Sequence, residues 1–265
     1  MRKKKIFITG GYGFIGSNLV NFLKDKYDLT LWDKDICEGI EIKNNFDYIF
    51  HLAANTDSRF PDDIEMYRNN ILGFLKVLEF ALSGKSKLIY ASSAACYGCK
   101  DNKIINAYAH SKMIIDEIAK RFFKKMKIVG LRPFNVFGKG ELMKGKNASV
   151  ITQWREQILS GKRPVIFKGN YRRDFIYVKD VVRGFEQAMK LPNGIYDLGT
   201  GIATDFREVL KIVIETLGVS VKPKFVKNPY KGTYQEYTKA DISWGFKPKF
   251  TLKEAIEDYF KNEAV

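Results

Sequence analysis

Apolar and polar positions follow two different periods along this chain, and the switches between them predict its layout. Short continuous runs rich in β-branched and aromatic residues read as strands buried on both faces, over residues 4–9, 29–32, 48–52, 87–91 and 128–131. The amphipathic stretches between them predict helices over 14–26, 64–83 and 106–126. Strict alternation of the two predicts an α/β fold, a doubly wound parallel sheet covered by helices on both faces. Between Asp33 and Phe46 there is little room for a further strand and helix, so one element is expected to be shortened or missing. Later the pattern loosens. Helices near 148–160, 179–190, 206–217 and 252–261, separated by Gly- and Pro-containing loops, predict a smaller α/β lobe on the C-terminal side. The expected division assigns 1–138 with 176–200 to the sheet domain, and 139–175 with 201–265 to the lobe.

Composition narrows the setting. A chain of 265 residues with 45% hydrophobic content can bury a full core without covalent staples. Its three cysteines, Cys37, Cys96 and Cys99, are too few and too oddly counted for a disulfide framework, which implies a reducing, cytoplasmic setting. The apolar run after Lys5 is too short for a signal segment and no later stretch could span a bilayer, so no membrane partner is expected. The formal net charge of +15 would suit nucleic acid or an anionic small molecule. Because the lysines are scattered and no nucleic-acid motif accompanies them, nucleic acid is excluded in favour of a small anion.

Chemistry first enters after the first strand, where the chain reads Thr9-Gly10-Gly11-Tyr12-Gly13-Phe14-Ile15-Gly16 and then runs into a helix. Glycines allow a tight turn and close approach of a pyrophosphate, and the helix N-terminus offers N–H groups to its charge. Asp33 closes the second strand at the roughly 20-residue separation expected of an acid that accepts from the adenosine ribose hydroxyls. Together these predict a Rossmann-type dinucleotide site that favours NAD. Lys34, which could pair with a 2′-phosphate, keeps NADP open.

Tyr108 and Lys112, in Tyr108-Ala109-His110-Ser111-Lys112, fall at i and i+4 on one helix face, about 5–6 Å apart at Cβ. A phenol is a weak base at neutral pH, and a nearby ammonium favours its ionised form. Lys112 could also hold the nicotinamide ribose. Ser93 follows the strand 87–91, whose carboxyl end faces the ligand crevice in an open parallel sheet. Its hydroxyl could orient the oxygen that exchanges a proton with Tyr108; otherwise it is a small loop residue bonding its own backbone.

The glycine turn, Ser93 and the Tyr108/Lys112 pair, in this order, resemble the extended short-chain dehydrogenases of the NAD-dependent epimerase/dehydratase family, which modify nucleotide sugars. His51-Leu52-Ala53-Ala54 and Asn69-Asn70-Ile71-Leu72-Gly73 are similar to that family's nucleotide-site segments. A narrower likeness, to ADP-glycero-manno-heptose 6-epimerases, is carried by 90–98, 130–138, 144–150, Arg173-Asp174-Phe175-Ile176-Tyr177-Val178 and Lys231-Gly232-Thr233-Tyr234-Gln235. The resemblance implies a transient oxidation at a sugar carbon, C6 of a nucleotide-linked heptose, with hydride returned to the other face. It implies cofactor contacts from Gly10, Gly11, Tyr12, Gly13, Phe14, Ile15, Gly16, Asp33, Leu52, Ala53, Ala54, Asn70, Tyr108 and Lys112. It further implies Lys144 as a second acid/base, Arg173 gripping the substrate diphosphate, and Asn135 and Tyr234 lining the sugar pocket with Ser93. A homodimer through the tyrosine helix would use Met113-Ile114-Ile115 and Ile118.

Departures bear on the substrate. The stretch Cys99–Ala107 is short, Ala109 stands where the family carries glycine, Pro133 replaces an aromatic, and Thr233 replaces arginine. Ala94 and Ala95 occupy positions where a dehydratase would carry acids, which disfavours elimination. An epimerase, a ketosugar reductase or sugar dehydrogenase with external cofactor turnover, and a non-catalytic nucleotide-binding module stay open, in that order. Cys96 and Cys99 have redox or metal-pair spacing, but with only His51 and His110 in the chain no zinc set can be assembled, and no metal is expected.

Overall fold

The computed structural model describes residues 2–99, 103–230, 232 and 234–263. The elements run β1 (Lys5–Thr9), α1 (Phe14–Leu23), β2 (Asp28–Trp32), β3 (Tyr48–His51), α2 (Asp63–Tyr67), α3 (Gly73–Gly84), β4 (Lys87–Ala91), α4 (Ala107–Phe122), β5 (Ile128–Pro133) and β6 (Asn135–Phe137). There follow α5 (Val150–Leu159), β7 (Val165–Phe167), β8 (Arg172–Arg173), β9 (Phe175–Tyr177), α6 (Val178–Ala188), β10 (Gly194–Leu198), β11 (Thr204–Asp205), α7 (Phe206–Thr216), β12 (Lys224–Val226) and α8 (Leu252–Asn262). Chain contacts divide these into two units, Met1–Pro133 with Val182–Asp197, and Phe134–Val181 with Leu198–Val265.

The first unit carries the sheet, in the order β10-β5-β4-β3-β1-β2. β1 pairs in parallel with β2 and β3, β3 with β4, and β4 with β5. The continuous apolar runs mean burial on both faces, as expected: Ile6, Phe7, Ile8, Ile49, Phe50, Leu88 and Ile89 are all shut off from solvent. One face packs on an aromatic cluster in which the Phe7 ring lies 5.2 Å from Phe46 and 5.1 Å from Phe80. The compression after β2 is real. A single 3₁₀ turn, Ile36–Glu38, capped by Asp35, stands between β2 and β3, and Ile36 packs into the same cluster.

The stretch 64–83, read from periodicity as one helix, is interrupted. Arg68–Leu72 forms a π-helical turn between α2 and α3. Its buried Asn70 accepts from the Asn55 N–H at 2.8 Å and donates to the Asn55 carbonyl at 3.0 Å and Ser111 Oγ at 2.9 Å. The widened turn thus ties the segment after β3 to α4, a common use of such insertions. α4 starts where the sequence gives it a cap, with Asn106 Oδ1 accepting the Ala109 N–H at 2.8 Å.

Among the described residues, the second unit contains three two-stranded sheets, β6 with β9, β8 with β11, and β7 with β12, none of which periodicity predicts because each strand is too short to carry a pattern. β10, the last strand of the main sheet, was also missed; it is bounded by Pro192 and Gly199, and its first three residues are only half-buried. Loops of the second unit converge on Asp174, which is inaccessible to solvent. Its carboxylate accepts from Thr200 N at 2.8 Å, Thr200 Oγ1 at 2.7 Å, Gly201 N at 2.8 Å and Ala240 N at 3.1 Å. Removing this acceptor leaves several buried donors unsatisfied, at about 1–3 kcal/mol each. Asp174→Ala is therefore expected to lower unfolding stability by about 3 kcal/mol or more, read from the urea midpoint; a loss below about 1 kcal/mol would contradict it.

Candidate active site

The glycine turn after β1 is shaped by its own glycines. A Cβ on Gly10, whose φ is +70°, would lie 2.5 Å from the Ala53 amide nitrogen, and one on Gly16 would lie 2.0 Å from the Gly10 carbonyl oxygen. The turn and the Leu52-Ala53 backbone therefore touch, which brings two of the predicted nucleotide segments together. Gly13 differs, since a Cβ there would meet only the Gly10 oxygen at 3.4 Å. α1 starts immediately after it with no side-chain cap and no acid in its first turn. An open glycine face at an uncapped helix N-terminus fits a pyrophosphate. Gly11, Phe14 and Gly16 are buried beneath the turn, Ile15 is half-buried and Tyr12 is exposed.

Asp33 and Lys34 follow β2 directly and are both exposed, with the Lys34 ammonium 5.6 Å from the centre of the Trp32 ring. Ala54 lies beside Ala53 in the half-buried segment after β3. Asn70 is 1% exposed, and its side-chain amide bonds Asn55 and Ser111.

Ser93 caps the 3₁₀ turn Ala94–Gly98, accepting from the Ala95 N–H at 3.1 Å. The Ser93 hydroxyl also acts on Tyr108, favouring the ionised form of its phenol. Lys112 is buried one turn further along α4, and its Nζ donates to the Ala91 carbonyl at the end of β4, at 2.8 Å. Burial depresses the Lys112 ammonium to about 8 and pushes the Tyr108 phenol up to about 12, the Ser93 hydroxyl opposing that rise. Tyr108 therefore stays protonated through the neutral range. Beneath the pair, His51 is held neutral at a pKa of about 3 by burial and by the Lys112 charge, with Nδ1 2.8 Å from Thr9 Oγ1.

In the second unit, Asn135, Arg173 and Tyr234 form one cluster. Arg173 Nη1 donates to Asn135 Oδ1 at 3.0 Å and Nη2 to the Gln235 carbonyl at 2.5 Å, while its guanidinium lies 4.2 Å from the Tyr234 ring centre. Arg173 Nε is buried without a hydrogen-bond partner, and burial lowers the affinity of the group for its proton. Lys144 belongs to another cluster. Its Nζ lies 3.6 Å from the buried Glu141 carboxylate, which also accepts from Ser149 N, Ser149 Oγ and Thr152 Oγ1. Lys231 and Thr233 lie outside the described residues, as do residues 100–102 of the short stretch before α4.

Sequence reading missed the charges behind these side chains: buried Asp116, half-buried Arg132, and buried Glu141 and Asp174. A signal existed for the first two. Asp116 continues the buried stripe of Tyr108 and Lys112 at i+4, and Arg132 directly follows the buried apolar strand residues, positions where an unpaired charge is not tolerated. Cys96 and Cys99 are free thiols; Cys96 is buried and its thiol is pushed up to about 11, chiefly by burial, far from a redox-active or metal-ready thiolate. Among the described residues, no helix is long and apolar enough to cross a membrane.

Comparison with known proteins places this geometry. The chain is 34% identical to an ADP-L-glycero-D-manno-heptose-6-epimerase of Brachyspira hyodysenteriae, over 89% of each chain. The crystal structure of the Helicobacter pylori ADP-L-glycero-D-manno-heptose-6-epimerase superposes with a TM-score of 0.89 at 30% identity, over 98% of this chain and 96% of that one. A UDP-N-acetylglucosamine 4-epimerase from Methanobrevibacter ruminantium, in complex with UDP-N-acetylmuramic acid, also gives 0.89, at 27% identity over the whole of both chains. Residues 6–199 match the Epimerase family, and this chain therefore belongs to the NAD dependent epimerase/dehydratase family, within the extended short-chain dehydrogenase/reductase type.

Proposed function

We propose that this chain is an NAD-dependent nucleotide-sugar epimerase that inverts C6 of a nucleotide-linked heptose, with the first unit holding the cofactor and the second the sugar nucleotide. The observation that carries the reading is buried Lys112, one turn beyond Tyr108 and bonded to the Ala91 carbonyl, in the same unit as the Ser93 turn and the uncapped glycine turn. The heptose is favoured over other sugars by the two heptose-epimerase relatives.

When bound, NAD supplies a reversible hydride acceptor. The glycine turn and the α1 N-terminus would hold its pyrophosphate, Asp33 its adenosine ribose and Lys112 its nicotinamide ribose. Ser93 orients the sugar oxygen against Tyr108. Tyr108, whose phenol holds its proton at neutral pH, would give that proton to the alkoxide as hydride returns to the sugar carbon, and Lys144 would take the hydroxyl proton as hydride leaves on the opposite hand. Arg173 supplies positive charge for the diphosphate, and Asn135 and Tyr234 fix its approach. The net positive charge of the chain assists capture of such a substrate. A cytoplasmic setting agrees with the three free cysteines, and a homodimer through the half-buried Met113, Ile114 and Ile118 of α4 completes the reading; Ile115 packs into the first unit's core.

The direct test is to identify the nucleotide released on denaturing the purified protein, and then to follow C6 of ADP-L-glycero-D-manno-heptose by NMR. NAD release and C6 inversion are expected; a stoichiometric burst of reduced cofactor without inversion would instead make the chain a dehydrogenase. Tyr108→Phe should lower turnover by about 10²–10⁴-fold while NAD binding, measured by calorimetry, stays within a few-fold. Turnover at the parent rate would remove Tyr108 from the mechanism. Since burial lowers the pKa of Lys112, its cation is present below about pH 8 and lost above it. Accordingly kcat/KM should fall as pH rises through about 8, and a profile flat to pH 10 would contradict a role for the charged form.

A further inference from the structure

Asp116 lies on α4 one turn beyond Lys112, and its side chain is 1% exposed. A bare carboxylate there would be intolerable, yet every neighbour that answers it comes from a different element. Arg132 of β5 reaches it through Nε and Nη2, both 2.8 Å from Oδ2. The Tyr90 hydroxyl, from β4, donates to Oδ1 at 2.9 Å. That hydroxyl has room only because its cross-strand partner is Gly130, where a Cβ would sit 2.5 Å from it. The Cys96 thiol, in the turn capped by Ser93, points at Oδ2 from 3.9 Å. Arg132 Nη1 also donates to the Tyr97 hydroxyl at 3.0 Å, its guanidinium lies 4.9 Å from the Tyr97 ring centre, and Tyr97 in turn donates to Asp197 of β10 at 2.7 Å.

This array joins the helix that carries Tyr108 and Lys112 to the turn that carries Ser93. Two charged bonds anchor α4 to β5, and one residue of the Ser93 turn bonds the same arginine. We infer that Asp116, acting through Arg132 and Tyr97, is a positioning residue that sets the register of Ser93 against Tyr108 and keeps the charge beside Lys112 constant. The inference rests on the proposed catalytic roles of those three residues.

The electrostatic part can be separated from the geometric one. Facing Lys112 are His51 of β3, held neutral, and Cys96, whose thiol is raised to about 11 and is also neutral at working pH. On α4 itself are Tyr108, protonated, and Asp116; Arg132 from β5 is taken up by Asp116, and Tyr67 of α2 bonds His110 rather than Lys112. Asp116 is thus the anionic member of this set, and its charge supports the Lys112 cation against burial. Neutralising it lowers the lysine's pKa further, so the alkaline limb of the rate profile moves to lower pH. Loss of packing alone would not move that limb.

The test uses C6 inversion of ADP-L-glycero-D-manno-heptose by Asp116→Asn, Tyr97→Phe and, as a control on the catalytic reading, Tyr108→Phe. Asp116→Asn is expected to lower kcat by about 10²-fold, the cost of misplacing reacting groups by an ångström, with KM and NAD affinity within about threefold and the alkaline limb displaced toward lower pH. Tyr97→Phe, which removes one hydroxyl from a partly exposed ring, should cost about 10-fold in kcat at an unchanged melting temperature. If Asp116→Asn fails to fold, Tyr97→Phe decides: reduced kcat at the parent melting temperature supports the inference, and parent kcat overturns it. Folded Asp116→Asn and Tyr97→Phe proteins with parent kcat and pH profile, beside an inactive Tyr108→Phe, overturn the positioning role alone. An active Tyr108→Phe overturns both.

Discussion

Everything in the first unit turns on burying the Lys112 ammonium without neutralising it. A cation taken out of water must find acceptors, and this one finds the Ala91 carbonyl where β4 ends. That bond brings the first turns of α4 to the carboxyl end of β4, while Ile115 and Ala119 further along pack on the sheet's face. Once α4 is there, Tyr108 stands one turn before Lys112, and the hydroxyl of Ser93, two residues past β4, acts on its phenol. The glycine turn belongs to the same geometry, because β1 and β4 are separated in the sheet only by β3 and end on the same edge.

The consequence is a division of labour between hydrogen-bonding and charge. Tyr108 is pushed up by burial and holds its proton, whereas Lys112 is pulled down by burial to a range where pH can reach it. His51, under the same lysine, is too buried to compete for charge. In the proposed mechanism Tyr108 gives a proton at a sugar oxygen and redox work is left to the cofactor of the family. The second unit is organised on the same logic by different residues. Asp174 and Glu141 are buried carboxylates that gather backbone amides and hydroxyls, Asp174 next to Arg173 and Glu141 beside Lys144.

How much of this could be read beforehand depended on pattern length. The five strands of the main sheet with long apolar runs, the glycine turn, the Tyr108/Lys112 spacing and Ser93 were all legible, because each is written in consecutive residues. The π-helical turn at Arg68–Leu72 was not, since its sequence is compatible with a continuous helix and Asn70 departs from it only to reach Asn55 and Ser111. The six short strands described in the second unit, of two or three residues each, cannot establish a period, and β10 has no continuous apolar run, since Gly194 and Asp197 interrupt it. Asp116 and Arg132 were missed for another reason: a lone charge in an apolar stripe is meaningful only once its partner, distant in sequence, is known. The cysteine pair went the other way, its spacing suggesting chemistry that the buried, protonated Cys96 does not support.

The central claim is that one hydride leaves a sugar carbon and returns to it from the other side, so the carbon never exchanges its hydrogen with solvent. Inversion of ADP-L-glycero-D-manno-heptose in D₂O, followed by NMR and mass spectrometry of the product, tests this most directly. The account predicts inverted product with no deuterium at the inverted carbon. Deuterium at that carbon would mean inversion by proton abstraction, and would contradict a transient oxidation.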